Sequence, residues 1–391
     1  MSSANPGADT ADWNGLKRLE RTLPSPHYFD PAHHAVELDR IWYCNWVYLC
    51  RADELAEPLC FRTFTLGSQP LLVLRDADGA LRAFYNTCRH RGSTLCAEPL
   101  GRLPARSLTC PYHGWTYDLR GKLLRIPAHG RPKPVDTNEF PLYAIAVQNW
   151  HGFVFVNLAA QSARTLDEAF GADASKLANW PLAELVVGQT RSTVLDCNWK
   201  VFWENYNECL HCPNVHPALS AVVPIYRRAI MEERDDPQWR AHAGSDDPQY
   251  MGGLRAGAAT WSMDGRSTGH EFAALSATER RIGYHFVTCL PSVYFVGHVD
   301  YVRAVRIHPL GPERTELRTQ WLYPREALAD PQLDLANTVD FAAQVMAEDG
   351  AACELVQRGL HSRPHAAGVL LPEEYEVYGF QSWVRAELAR A

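Results

Sequence analysis

At 391 residues, 46% apolar and 11% aromatic, the chain exceeds one ordinary domain and can fill packed cores, so two domains are expected. A net charge of -7 without any run of Lys or Arg argues against nucleic acid and anionic membrane as partners. No segment has the uninterrupted apolar length of a membrane span, and residues 1–6 lack the basic and apolar pattern of a secretion signal, so a cytoplasmic location is expected. Eleven scattered cysteines, an odd number, argue against a disulfide framework. They fit a reducing compartment, with some thiols as metal ligands and the others as buried apolar residues.

Residues 1–23 are polar, with a short helix expected near Leu16–Leu19, and Pro24, Pro26 and Pro31 punctuate a loop. His33 to Trp46 carries a helical stripe of Val36, Leu38, Ile41, Trp42 and Trp46. From Val47 the texture becomes short apolar runs separated by turn residues, with Asp76–Gly79 as a hairpin signal, and it continues to Asn157. The organisation expected is a helical arm over 1–44, a small all-β domain over 45–160 and a larger mixed domain over 161–391. In the last, a helix near Leu166–Trp180 leads to a strand at Leu185–Asp196. Residues 232–280, polar and rich in Gly, Asp and Arg, read as a long excursion. Strands return at Tyr284–Val296, Tyr301–Pro309 and Thr315–Tyr323, the last two joined through Leu310-Gly311-Pro312, and Asp334 can cap a long helix Leu335–Leu360.

The stretch from Asp196 to Pro217 reads as a helix ending in a metal site. Glu204, Glu208 and His211, at i, i+4 and i+7, share one helical face, and Pro213 should stop the helix near Cys212. His216 then lies on the following turn, free to fold back toward His211. Two imidazoles with carboxylates one turn away suit a divalent transition metal such as iron; two ordinary histidines beside solvated glutamates are the alternative. Within the β region, Cys88-Arg89-His90-Arg91-Gly92 is followed by Cys110-Pro111-Tyr112-His113-Gly114-Trp115. Each loop offers one thiolate and one imidazole. A Cys₂His₂ zinc site is one reading, but zinc fingers pair cysteine with cysteine and histidine with histidine. The mixed pairs suit a Rieske [2Fe–2S] cluster, one iron held by two thiolates and the other by two imidazoles.

A ferrous site that activates O₂ needs a carboxylate beside two histidines. On the last helix Asp349 falls on the apolar stripe of Ala342, Val345/Met346, Ala352/Cys353, Val356 and Leu360, where a carboxylate is costly unless a cation meets it. An arginine partner is the alternative. Glu348, rotated by about 100°, is expected to face solvent.

Taken together, Cys88-x-His90, Cys110-x-x-His113, Glu204-Asn205-x-x-Glu208-x-x-His211-x-x-x-x-His216 and Asp349 resemble the α (terminal oxygenase) subunit of Rieske non-heme iron oxygenases, over about residues 40–360. The resemblance implies an α+β chain: an all-β Rieske domain inserted before a helix-grip catalytic domain, an antiparallel sheet wrapped round a long helix. It implies one [2Fe–2S] cluster and one mononuclear Fe(II) per subunit, O₂ as co-substrate, and electrons from NADH through a separate flavin and iron–sulfur reductase. It also implies a homotrimer in which an electron passes from His113 of one subunit to His211 of its neighbour, bridged by Glu208. Many ring-hydroxylating members have aspartate at that place. Glutamate, within Glu-Asn-Tyr-x-Glu-Cys-x-His-Cys-Pro, is similar to the branch acting on glycine betaine, proline betaine, carnitine and choline. Physical chemistry supports the same role, since a carboxylate on the free N–H of a ligating histidine fixes its tautomer.

Monooxygenation or N-demethylation of a quaternary ammonium compound is therefore expected. An aromatic-ring hydroxylating (di)oxygenase is the alternative, and an electron carrier without oxygen chemistry a second one, though it leaves His211, His216 and Asp349 unexplained. Trp203, Tyr206, Trp261 and Tyr294 are candidate substrate-binding aromatics, since a quaternary cation needs ring faces rather than acceptors. Arg227 and Arg228 can bind a carboxylate or stand as a solvated pair.

Overall fold

The computed structural model describes residues 13–127, 135–159 and 164–390. Contacts divide the chain into two compact units: one of 38–171 with 289–293, the other of the N-terminal 37 residues with 172–288 and 294–391. The fold is α+β.

The first unit is built on a seven-stranded antiparallel sheet in the order Val47–Arg51, Phe153–Asn157, Ala144–Trp150, Leu81–Tyr85, Gln69–Arg75, Cys60–Leu66 and Leu100–Arg102. The expected hairpin at Asp76–Gly79 forms because Asp76 Oδ1 accepts from the backbone N–H of Asp78 and of Ala80 (3.0 and 2.9 Å), while Gly79 adopts φ 85°. A three-stranded sheet of Ser107–Thr109, Thr116–Asp118 and Leu123–Arg125 follows. Leu72, Phe84, Leu108 and Tyr117 share one core cluster with Cys88 and Cys110, so both cysteine loops are anchored in packed apolar residues.

The second unit carries a five-stranded sheet in the order Val186–Leu195, Arg314–Tyr323, Val302–Gly311, Val293–His298 and Tyr284–Cys289. The single strand expected over Tyr284–Val296 is two, because Pro291 has no N–H to donate to a ladder and sits in the turn between them. The helix Leu335–Leu360 starts at the Asp334 cap, whose carboxylate accepts from Ala336 N at 3.0 Å. Its buried stripe includes Thr338, Val339, Ala342, Val345, Gly350 and Cys353, spaced for one helical face. Val339 and Ala342 pack with Trp321 and Tyr323 of the sheet and with Tyr301 just before its third strand, and the hydroxyls of Tyr323 and Thr338 lie 2.6 Å apart. Gly350 marks the closest approach: a Cβ there would come within 2.7 Å of Leu195 Cδ2.

Several expected elements are shorter or differently wound. The polar 16–19 segment forms no helix, and Glu20–Arg21 instead pairs with Val369–Leu370. The stripe after His33 is an α-helix over Pro31–Glu37 continued by a π turn over Leu38–Trp42. Beyond Leu166–Phe170 the chain tightens to a 3₁₀ helix over Gly171–Leu177. Most important, the helix opening at Trp199, capped by Asn198, ends at Tyr206 rather than near Cys212. The Glu208 carboxylate captures the N–H groups of Leu210 and His211, which offers the backbone an alternative to the helical ladder. Glu204 therefore does not share a face with His211. It accepts from Tyr28 Oη at 2.7 Å and Gln381 Nε2 at 3.0 Å, and burial raises its carboxyl to about 7.

The same helix carries a fully buried ion pair. Lys200 Nζ lies 2.5 Å from Glu37 Oε1 and 2.8 Å from Asn198 Oδ1, while Trp199 Nε1 donates to Glu37 Oε2 at 2.9 Å. Burial alone would raise the Glu37 carboxyl, but the Lys200 ammonium and the donors His33 and Trp199 outweigh it and hold it at about 2. Glu37→Gln should strand the ammonium and lower stability at pH 7 by about 3–5 kcal/mol, read as a lower unfolding midpoint in denaturant. A carboxylate depressed in the folded state stabilises fully above its unfolded value of about 4.3 and loses that contribution as pH falls toward 2. The gap between wild type and the Gln variant should therefore narrow below about pH 4; a gap constant with pH would refute the assignment.

Candidate metal centres

The two cysteine loops have the same backbone design. Cys88 N donates to Ser93 O and its carbonyl accepts from Gly92 N; Cys110 N donates to Trp115 O and its carbonyl accepts from Gly114 N, at 2.8 and 3.0 Å in each loop. Gly92 and Gly114 turn the chain with φ 75° and 69°, a left-handed conformation that glycine adopts without a Cβ penalty. Both cysteines are buried, whereas His90 is exposed and His113 half-buried. The imidazoles meet with their Nδ1 atoms 3.1 Å apart, and His90 stacks on Trp115 at 5.0 Å. Tyr117 Oη lies 3.3 Å from Cys88 Sγ. Burial pushes the Cys88 thiol up. At Cys110 burial pushes the same way, but the N–H groups of Tyr112 and His113 outweigh it and bring the thiol below its ordinary range. Two inward thiols and two outward imidazoles on matched loops suit two unlike irons better than one zinc.

In the second unit His211, His216 and Asp349 converge, each with one ligand atom within 4.8 Å of the others. His211 Nε2 lies 3.2 Å from His216 Nε2 and 3.3 Å from Asp349 Oδ1, and His216 Nε2 lies 2.8 Å from that same oxygen. Donors bound at right angles to one ion with bonds of about 2.1 Å would stand about 3 Å apart, so the three fit one face of an octahedral metal. The electrostatics point the same way. Burial would lower the histidines, yet Asp349 and Glu208 raise His211 to about 9 and Asp349 raises His216. Asp349, which burial would push up, is held down by the two imidazoles. This is a donor set that favours positive charge at its centre.

The chain places the imidazoles from outside as well. His211 Nδ1 lies 2.5 Å from Glu208 Oε1, and His216 Nδ1 lies 2.8 Å from Glu348 Oε2. Gln344 Nε2 in turn holds Glu348 Oε1 at 2.9 Å. Each histidine thus presents Nε2 to the centre and is fixed through Nδ1 by a carboxylate. Glu348 corrects the expectation of a solvent-facing residue: a rotation of about 100° from Asp349 on the helix turns it toward the flank occupied by His216. A carboxylate next to the ligand on the same helix was the signal for it. One local disulfide, not foreseen in the sequence, joins Cys209 and Cys212 across this turn, their Cα atoms 4.9 Å apart; it does not amount to a disulfide framework, since the other nine cysteines are free.

The four candidate aromatics lie in one cluster. Tyr206 and Tyr294 stand 4.2 Å apart between ring centres, Trp203 lies 5.3 Å from Tyr206 and 6.1 Å from Tyr294, and Phe286 links Tyr206 (5.9 Å) to Trp261 (6.1 Å). Arg227 is exposed, as expected of a solvated residue, whereas Arg228 is half-buried and engaged. Arg228 pairs with Asp236 and covers the Tyr250 ring at 4.9 Å, and Arg227 Nε donates to Ser220 O at 2.9 Å.

Comparison with known proteins agrees with this geometry. Residues 182–390, more than half of the chain, match the family described as "Ring hydroxylating alpha subunit (catalytic domain)", and residues 45–147 match the "Rieske [2Fe-2S] domain". The chain is 29% identical to the oxygenase subunit of glycine betaine monooxygenase from Chromohalobacter salexigens, over 96% of this chain and 87% of that one. It is 26% identical to the chloroplastic choline monooxygenase of Spinacia oleracea, over 94% of this chain and 78% of that one. Among solved structures, a quaternary ammonium Rieske monooxygenase concerned with carnitine oxidation shares the fold with a TM-score of 0.72 at 20% identity, covering 96% of this chain and 98% of that one. Naphthalene 1,2-dioxygenase of Rhodococcus sp. shares it at 0.68 and 19%, covering 95% of each. These two domains imply a Rieske cluster and a non-heme iron. No helix among the described residues is long and apolar enough to cross a membrane. By its two domains and its relatives, the chain belongs to the α subunits of the ring-hydroxylating, Rieske-type non-heme iron oxygenases.

Proposed function

We propose that the protein is the terminal oxygenase of a system that hydroxylates an N-methyl or neighbouring carbon of a quaternary ammonium compound, with O₂ as co-substrate and electrons from NADH through a separate flavin and iron–sulfur reductase. The single observation that carries this reading is the convergence of His211 Nε2, His216 Nε2 and Asp349 Oδ1 in a chain that also holds the Cys88/His90 and Cys110/His113 loops. Cys88, His90, Cys110 and His113 would hold the cluster, and His211, His216 and Asp349 the iron. When bound, the cluster supplies single electrons and the ferrous ion supplies activation of O₂ toward a C–H bond.

The protein's own residues do the rest. Glu208 and Glu348 hold the Nδ1 atoms of the two histidines, so each imidazole keeps one tautomer and one orientation. Glu208 is also the residue that joins the iron site to His113 of a neighbouring protomer in a homotrimer. The faces of Trp203, Tyr206, Tyr294 and Trp261 attract a quaternary cation, which has no proton to donate and gains nothing from a hydrogen-bond acceptor. Their bulk keeps water from the reacting carbon. A carbinolamine formed at an N-methyl group collapses to formaldehyde and the demethylated amine.

Three measurements test this. Anaerobically purified protein should contain about three irons per chain, and O₂ uptake with reductase and NADH should release formaldehyde from a trimethylammonium substrate; a cis-diol or phenol from an aromatic compound would replace the proposal by ring hydroxylation, and about two irons would leave only an electron carrier. Glu208→Gln should keep both centres occupied and lower turnover by about 10–100-fold, and unchanged product formation would remove its bridging role. Glu348→Ala should weaken iron retention at the mononuclear site by about 10–100-fold in a chelator competition, with the Rieske EPR signal unaltered.

A further inference from the structure

Arg303 stands out among the charged residues of the catalytic unit. It lies in the strand Val302–Gly311, opposite Trp321 of the adjacent strand, and is 3% exposed. Its guanidinium sits over the Trp261 ring, 5.7 Å from the ring centre. Nε and Nη1 are buried without a hydrogen-bond partner, and among the described residues Arg303 makes no ion pair. Asp300, three residues earlier, forms no ion pair with it among the described residues: its Oδ2 accepts from Thr268 N at 2.6 Å, and its Oδ1 is buried without a hydrogen-bond partner. Trp261 Nε1 is likewise buried without a hydrogen-bond partner, and the His298 ring centre lies 5.3 Å from that of Trp261. A buried cation surrounded by idle donors is among the most costly arrangements a core can hold, unless a ligand supplies the missing anion.

The position of this cation relates it to the candidate substrate site. Trp261 belongs to the aromatic cluster through Phe286. Trp261 also faces Phe341 at 6.5 Å, two turns and about 12 Å before Asp349 along the same helix. Tyr294 feels both ends: burial raises its hydroxyl to about 12, with Arg303 pulling it down and Asp349 pushing it up. We infer that Arg303 is the anchor for a carboxylate on the substrate, with Trp261 Nε1 as a second donor, so that the substrate is a trimethylammonium carboxylate and not an amino alcohol. The aromatic faces would take the cationic head, and the planar fork of Arg303 would take the acid at the other end. This specificity assignment rests on the quaternary-ammonium reading above and narrows it.

The test compares matched compounds on the wild-type holoenzyme, by calorimetric binding to the resting protein and by formaldehyde release. Glycine betaine is set against choline, and γ-butyrobetaine and carnitine against trimethylammonium alcohols of the same spacer length. At one or more lengths the carboxylate should bind and turn over about 100-fold better than the alcohol. Arg303→Gln should raise both the dissociation constant and KM for the preferred carboxylate by about 100-fold with a much smaller change in kcat, and Arg303→Lys should recover part of the loss. Iron content and the Rieske EPR signal identify folded variant. Equal or better binding of the alcohol at every length, or a folded Arg303→Gln protein with unchanged affinity, would overturn the anchor. Should no trimethylammonium compound bind while an aromatic carboxylate binds and loses about 100-fold in Arg303→Gln, the cationic substrate fails and the anchor stands. If no carboxylate of either kind binds, the anchor fails.

Discussion

The catalytic unit depends on one convergence: two imidazoles from a turn and one carboxylate from a distant helix meet within a few ångströms. The turn exists because the helix from Trp199 ends at Tyr206 and the Glu208 carboxylate caps the next amides. The helix Leu335–Leu360 reaches the same point because it packs on the sheet through Val339 and Ala342 and has no side chain at Gly350, where it meets Leu195. Three candidate ligand atoms from two stretches of sequence more than 130 residues apart are then held together by packing. Helix and turn are rigid supports, and a metal needs its ligands placed to within fractions of an ångström.

Glu208 has two tasks that only its conformation reconciles. One carboxylate oxygen ends the helix by accepting from backbone amides, and the other holds His211 Nδ1. Local folding and ligand orientation are therefore the same interaction. Glu348 does the second task alone for His216, supported by Gln344 one turn earlier. With both Nδ1 atoms engaged, neither ring can flip without leaving a carboxylate unpaired in a half-buried site, and both Nε2 atoms stay aimed at Asp349.

The parts of this architecture that were legible in the sequence are those written as spacing. Cys88-x-His90 and Cys110-x-x-His113 stand out as candidates because each Cys/His pair is local, and Asp349 does so because a carboxylate interrupts an apolar stripe. The length of the helix from Trp199 was not legible, since 3.6-residue periodicity continues through Glu208 while the side chain that ends the helix also belongs to that pattern. Glu204 shows the result: its register suggested a shared face with His211, yet it closes a buried hydrogen-bond set with Tyr28 and Gln381. Both of those partners are about 175 residues away, and no local pattern reports them. Glu37 and Lys200 are hidden from the sequence for the same reason.

Arg303 illustrates the limit from the other side. The sequence offered Arg227 and Arg228, after Tyr226, as a carboxylate site or a solvated pair, and nothing in the run Val302–Gly311 singled out Arg303. Burial reverses that ranking. Arg228 is satisfied by Asp236 and the Tyr250 ring, so an incoming carboxylate would have to displace existing partners, and Arg227 is exposed with its charge already in water. The strand arginine has the Trp261 ring beside it but, among the described residues, no anion and no acceptor on Nε or Nη1 to displace. Attraction to a ligand is set by what a charge lacks in the folded state, and this is decided by the strand's place in the sheet beneath Trp261, not by the residue type.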